Sequence, residues 1–105
     1  MINIDLIKDV NLRHLARMKN ALEQYSSHSI SLQSLIGDLS FISNSIDCLV
    51  EDDFIPLNDC LIDLESVNSA QLDGKSFPEM ESVVSKAING CQIWIERIES
   101  KIASA

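Results

Sequence analysis

At 105 residues, 46% apolar and 23% charged, the chain is long enough for one packed core, too short for two, and too apolar to be disordered. Its net charge of −8 argues against direct contact with nucleic acid or an anionic membrane, because both need clustered lysine and arginine. Only three glycines and two prolines appear, which favours a few long elements in a single domain over residues 1–105.

Near the start, Leu12, Leu15, Met18, Leu22 and Tyr25 form a helical stripe. Ile4, Leu6, Ile7 and Val10 do not continue it, which predicts a kink or a separate short turn near Lys8–Asn11. The polar run Ser26-Ser27-His28-Ser29 separates this helix from the next. A second helix is predicted from Ser31 to Val50, on Leu32, Leu35, Ile36, Leu39, Ile42, Ile46 and Leu49 spaced mostly three and four apart. Ser31 is a good N-cap, and Ile30 before it can pack on Leu35 as a hydrophobic staple.

A third helix, about Phe54 to Leu72, carries Phe54, Leu57, Leu61 and Leu64. Asp52 or Asp53 is its expected cap, Pro56 suits its first turn, and Asp73-Gly74 is the stop signal. The last helix opens at Ser76-Phe77-Pro78-Glu79, which has the spacing of a capping box. Met80, Val84, Ala87, Cys91, Ile95, Ile98 and Ile102 then share one face, and Gly90 leaves room for a close helix approach. Trp94, one position off that stripe, is expected at the core or its edge. Short connections make consecutive helices antiparallel, so the predicted fold class is all-α, an antiparallel four-helix bundle with its first helix kinked or split.

Little in the sequence points to chemistry. Cys48, Cys60 and Cys91 lie far apart, outside any Cys/His ligand spacing, and each falls on or beside an apolar stripe. They read as buried, reduced thiols. Met1–Val10 has no basic segment followed by an apolar one, and no apolar run reaches a membrane span, so a cytoplasmic protein is expected. Neither His14 nor His28 has the glutamate three residues earlier that a carboxylate-bridged di-metal site uses. The acids from Asp47 to Asp59 lack the glycine of a calcium loop. His14, between Arg13 and Arg17, reads as a surface or boundary residue, and no nucleophile has a recognisable base beside it. No metal, no cofactor and no enzymatic activity are expected.

One signal remains. From residue 20 to residue 74 there is no lysine or arginine, so all eight cations lie in the flanks. The same stretch holds ten acids: Glu23, Asp38, Asp47, Glu51, Asp52, Asp53, Asp59, Asp63, Glu65 and Asp73. A soluble surface ordinarily mixes both signs. Asp52 and Asp53 have a local reason to be there, since carboxylates suit a helix N-terminus. Asp59 and Asp63 have none, and at one-turn spacing they repel each other. On a helical wheel Asp52, Asp59 and Asp63 share an arc opposite the Leu57–Leu61–Leu64 seam, and Asp47 and Glu51, at the end of the second helix, approach the same corner. The expected binding residues are therefore Asp47, Glu51, Asp52, Asp53, Asp59 and Asp63, with Phe54 as an apolar anchor, all facing a basic partner.

The segment Ile30-Ser31-Leu32-Gln33-Ser34-Leu35-Ile36-Gly37-Asp38-Leu39, with Leu64-Glu65 and then Ala70 further on, resembles small bacterial immunity proteins of the CdiI type, from contact-dependent growth inhibition and related polymorphic-toxin systems. The resemblance runs loosely from Ile4 to Ile102 and is specific only over Ser31–Leu39. It implies a protein that binds a cognate toxin C-terminal domain, often a basic nuclease, and occludes or distorts its active site; a monomer in the complex is expected. A different class stays open on the residues alone, a small helical secretion chaperone or adaptor working through an apolar groove.

Overall fold

The computed structural model describes residues 4–47 and 49–104, with Ile4 and Asp5 by backbone alone. Helix α1 spans Ile4–Ser26, α2 Leu32–Ser43, α3 Ile55–Leu72 and α4 Met80–Ser104, with a 3₁₀ turn at Glu51–Phe54 leading into α3. Each helix packs on its neighbour in sequence, and α1 closes the ring against α4. Side-chain contacts fix the direction of the α3–α4 pair. Asp53 meets Lys101 and Gln71 meets Met80, so α4 descends as α3 rises. The result is an all-α, antiparallel four-helix bundle, elongated to 53 × 27 × 18 Å.

The core follows the helical stripes. Leu15, Met18 and Leu22 of α1 meet Leu35 and Leu39 of α2, Leu57, Leu64 and Val67 of α3, and Cys91, Ile95 and Ile102 of α4. Trp94 is only 2% exposed, and its indole N–H donates to the Asp53 carbonyl at 2.7 Å. Burying a tryptophan requires such an acceptor for its polar edge. Ser31 caps α2 as expected, its hydroxyl accepting the Ser34 N–H at 3.1 Å, and Ile30 is half-buried against the core.

α1 is one uninterrupted helix, which corrects the separate short turn expected as one alternative near Lys8–Asn11. The break in the apolar stripe is a change of residue and not of backbone. Asn11 occupies the core-facing position one turn before Leu15, with 0% exposure. Its amide donates to the Asp47 carbonyl at 3.2 Å and accepts the Asp47 N–H at 3.1 Å. A polar side chain is thus satisfied in the interior by pairing with backbone, as a buried amide must be.

α2 ends at Ser43, seven residues short of the expected Val50. The helix ends at a run of short polar residues, Ser43-Asn44-Ser45. The Ser43 hydroxyl donates to the Ser40 carbonyl and the Ser45 hydroxyl to the Phe41 carbonyl, both at 3.1 Å, offering the backbone an alternative to continued helix. Ile46 is still buried, from non-helical backbone that Asn11 holds in place. Two more boundaries differ. Neither Asp52 nor Asp53 caps α3, whose N-cap is Phe54 with no side-chain bond, because the 3₁₀ turn intervenes. α4 starts at Met80 and not at Ser76: Pro78 sits second in a turn closed by the Met80 N–H to the Phe77 carbonyl at 3.1 Å, a position that suits its fixed φ.

α1 and α3 stop in the same way. At the end of α3, Gly74 has φ +72°, the Lys75 N–H reaches the Ala70 carbonyl at 2.8 Å, and the Gly74 N–H reaches the Gln71 carbonyl at 3.0 Å. At the end of α1, His28 takes the left-handed conformation with φ 62°, and Ser29 and His28 bond back to Gln24 and Tyr25. Both are Schellman closures, for which glycine is the usual residue. Gly74 was legible as a stop; His28 was not.

Gly90 meets its expectation. A Cβ there would lie 2.5 Å from the Cys60 Sγ, so any larger residue would have to displace the Cys60 side chain or part α3 from α4. Cys91 is fully buried and Cys60 partly so, both as free thiols, while the Cys48 expectation lies outside the described residues.

Candidate protein-binding face

The structure divides the seven expected residues into three groups. Asp53 and Phe54 are drawn into the bundle. The Asp53 carboxylate receives the Lys101 ammonium at 2.8 Å and the Val50 N–H at 2.9 Å, and its side chain is only 18% exposed. The hydrogen bond from Lys101, then that from Val50, hold its carboxyl below the usual 3.8. Phe54 is half-buried against the core, its ring centroid 6.1 Å from that of Trp94. Both residues help close the end of the bundle.

Asp47, Glu51 and Asp52 form the second group. All are exposed. With α2 ending at Ser43, Asp47 and Glu51 do not sit at a helix C-terminus, where the negative end of the dipole would oppose a carboxylate. Asp47 lies in the connection that Asn11 clamps, and Glu51 and Asp52 open the 3₁₀ turn. Asp52 also borders a shallow cleft of about 200 Å³ with Asp53, Pro56, Trp94, Arg97 and Lys101, which brings cations beside it.

Asp59 and Asp63 are the third group, exposed on the outer side of α3. Among the described residues the ion pairs are Arg13–Asp9, Lys19–Glu99 and Lys101–Asp53, and none reaches α3 itself. The two carboxylates also act inward. Burial first, and then the nearness of Asp63 and Asp59, raises the Cys60 thiol above its usual value. Burial pushes Cys91 up to about 12, so neither thiol is primed as a nucleophile.

Two further residues on this face escaped the sequence reading. Ile55 and Ile62 are 52% and 58% exposed. They lie seven residues apart, two turns along one line, with Asp59 and Asp63 between and beside them. The signal was present as a second apolar repeat on α3, opposite the leucine seam, and the stronger seam masked it.

Among the described residues no group of three or more His, Cys, Asp or Glu side chains is placed to hold a metal ion. No helix is long and apolar enough to cross a membrane. The Nδ1 of His14 is buried without a hydrogen-bond partner, on a ring that is itself partly exposed. The fold and this face together define a helical bundle with one charged, partly apolar side. No protein family matches the chain, and neither a curated protein nor a solved structure does.

Proposed function

We propose that this protein is a cytoplasmic immunity protein. It binds a cognate nuclease toxin domain, a ribonuclease in the first instance, and neutralises it one-to-one by covering its basic active-site cleft. It acts by occupancy alone, with no catalysis and no cofactor. The observation that carries this reading is Asp59 and Asp63, one turn apart on the outside of α3 with no ion pair to either among the described residues. Like charges at that spacing weaken a helix by a few tenths of a kcal/mol, roughly, so folding alone gives no reason for them. A nuclease cleft must be basic to hold phosphates, which makes it a natural counterpart. Complementary charge would speed encounter and reject wrong partners.

The test is protection. Co-expression should rescue the growth of cells that produce the cognate nuclease domain, and Asp59→Lys with Asp63→Lys should abolish the rescue while the helical CD spectrum stays unchanged. Full rescue by the double variant would refute the assignment of this face. The second reading, a secretion chaperone or adaptor, draws support from the exposed Ile55 and Ile62. Salt separates the two: association of an electrostatic inhibitor slows steeply with ionic strength, and that of a groove binder does not.

A further inference from the structure

α3 is apolar on two opposite sides. Leu57, Leu61, Leu64 and Val67 fill the core, with Cys60 partly buried beside them on the same inward side. Yet its outward row reads Ile55, Asp59, Ile62, Asp63, Ser66, each about one turn or less from the next and all exposed. Single exposed apolar residues are ordinary. Two on one line, with carboxylates set between them, form a surface of definite chemistry.

Most occupants fail one half of that chemistry. A second copy of the chain would set Asp59 and Asp63 against their own equivalents in a two-fold contact, with −8 on each partner. Anionic lipid and nucleic acid are repelled in the same way. A cleft lined by lysine and arginine alone would satisfy the aspartates and leave two isoleucines against solvated cations. A surface with apolar residues at its centre and lysine or arginine around them satisfies both.

We infer that the outward row of α3 docks a basic, apolar-centred protein surface. Ile55 and Ile62 supply the contact that excludes water, and Asp59 and Asp63 set the register. This deepens the proposed function and rests on it for the partner's identity, moving the main contact from the phosphate-holding floor of the nuclease cleft to an apolar patch on its rim.

The test uses the whole protein, ¹⁵N-labelled, and two synthetic peptides of equal charge. One is a helical peptide with leucines on one face and lysine and arginine on both flanks; the other is oligolysine. The amphipathic peptide should bind at least about tenfold tighter, the return expected from burying an isoleucine, and should shift the amides of residues 55–66. Ile62→Ser should remove that advantage and leave the weak oligolysine titration unchanged. Ile55→Ser, at a second exposed site, serves if the first variant melts early. Equal affinity for the two peptides would overturn the inference, as would shifts centred on Phe41 or Leu72. A dimer in sedimentation that Ile62→Ser dissociates would overturn it in favour of a second copy. Peptide binding alongside failed neutralisation would retire the immunity reading and leave the docking face standing. Neutralisation that Ile62→Ser does not weaken would do the reverse.

Discussion

The seam where α3 meets α4 and the outward row of α3 are built from similar residues and differ in what those residues touch. Along the seam the polar groups are used by the fold: Asp53 holds Lys101 and Val50, Trp94 reaches the Asp53 carbonyl, and Gly90 makes room for Cys60. A turn or two away, Asp59 and Asp63 stand in solvent beside Ile55 and Ile62, with no ion pair among the described residues. Charge content does not separate the two regions. Structural employment does, and a carboxylate without it is the better candidate for external work.

That contrast can be broken by substitution. The largest effect belongs to the seam. Gly90→Ala forces a methyl group into the Cys60 Sγ, and overpacking of this kind costs about 1–3 kcal/mol, of which helix propensity returns up to about 1 kcal/mol. Urea denaturation should show a net loss, and adding Cys60→Ala should recover most of it. A variant as stable as the parent would mean that α3 and α4 are not locked together at this point.

Asp53→Asn comes next and carries a pH signature. The folded-state pKa of Asp53 lies below its usual 3.8, so its stabilisation is present above that value and is lost as pH falls through the folded one. The variant should therefore melt below the parent at pH 7, and the gap should close as pH drops below about 4. A gap independent of pH would assign the loss to packing and not to the Lys101 contact.

The smallest effect belongs to the outward row, and its sign is the sharper test. Asp63→Lys replaces a repulsive pair with Asp59 by an attractive one in the favourable orientation, a gain of about 0.5 kcal/mol at low salt. Thermal melting should show a slight stabilisation that fades with added salt, in the same variant that binds the partner less well. A measurable destabilisation would give Asp63 a role in the fold and erase the contrast.

The sequence carried the seams of all four helices because each is a stripe of large apolar residues at three- and four-residue spacing, a pattern that only a helix buries on one side. It misled where the same spacing outlived its cause. Ile46 and Leu49 continue the α2 period after the helix has ended, so the spacing predicts helix at the corner that carries Asp47 and Glu51. Asn11 misled in the opposite way: a polar residue in a core slot looked like a broken helix. No local pattern reveals that its partner is the backbone of Asp47, since the pair is separated by 36 residues and exists only in the assembled bundle. The candidate site was legible as a charge anomaly. Its division into engaged and idle carboxylates was not, because that depends on where Lys101 arrives from another helix.

The Asn11 clamp also governs how the end of the bundle comes apart. The Asp47 amide proton is held by a side chain on α1, not by a neighbour in its own segment. Its exchange with solvent therefore has to wait for α1 and the α2–α3 connection to separate, an opening larger than the fraying of a loop. Residues 45–47 contain no regular helix, yet they are tied to the lifetime of a polar contact that spans 36 residues of sequence. A segment between two helices thus behaves, in opening, as part of the first helix.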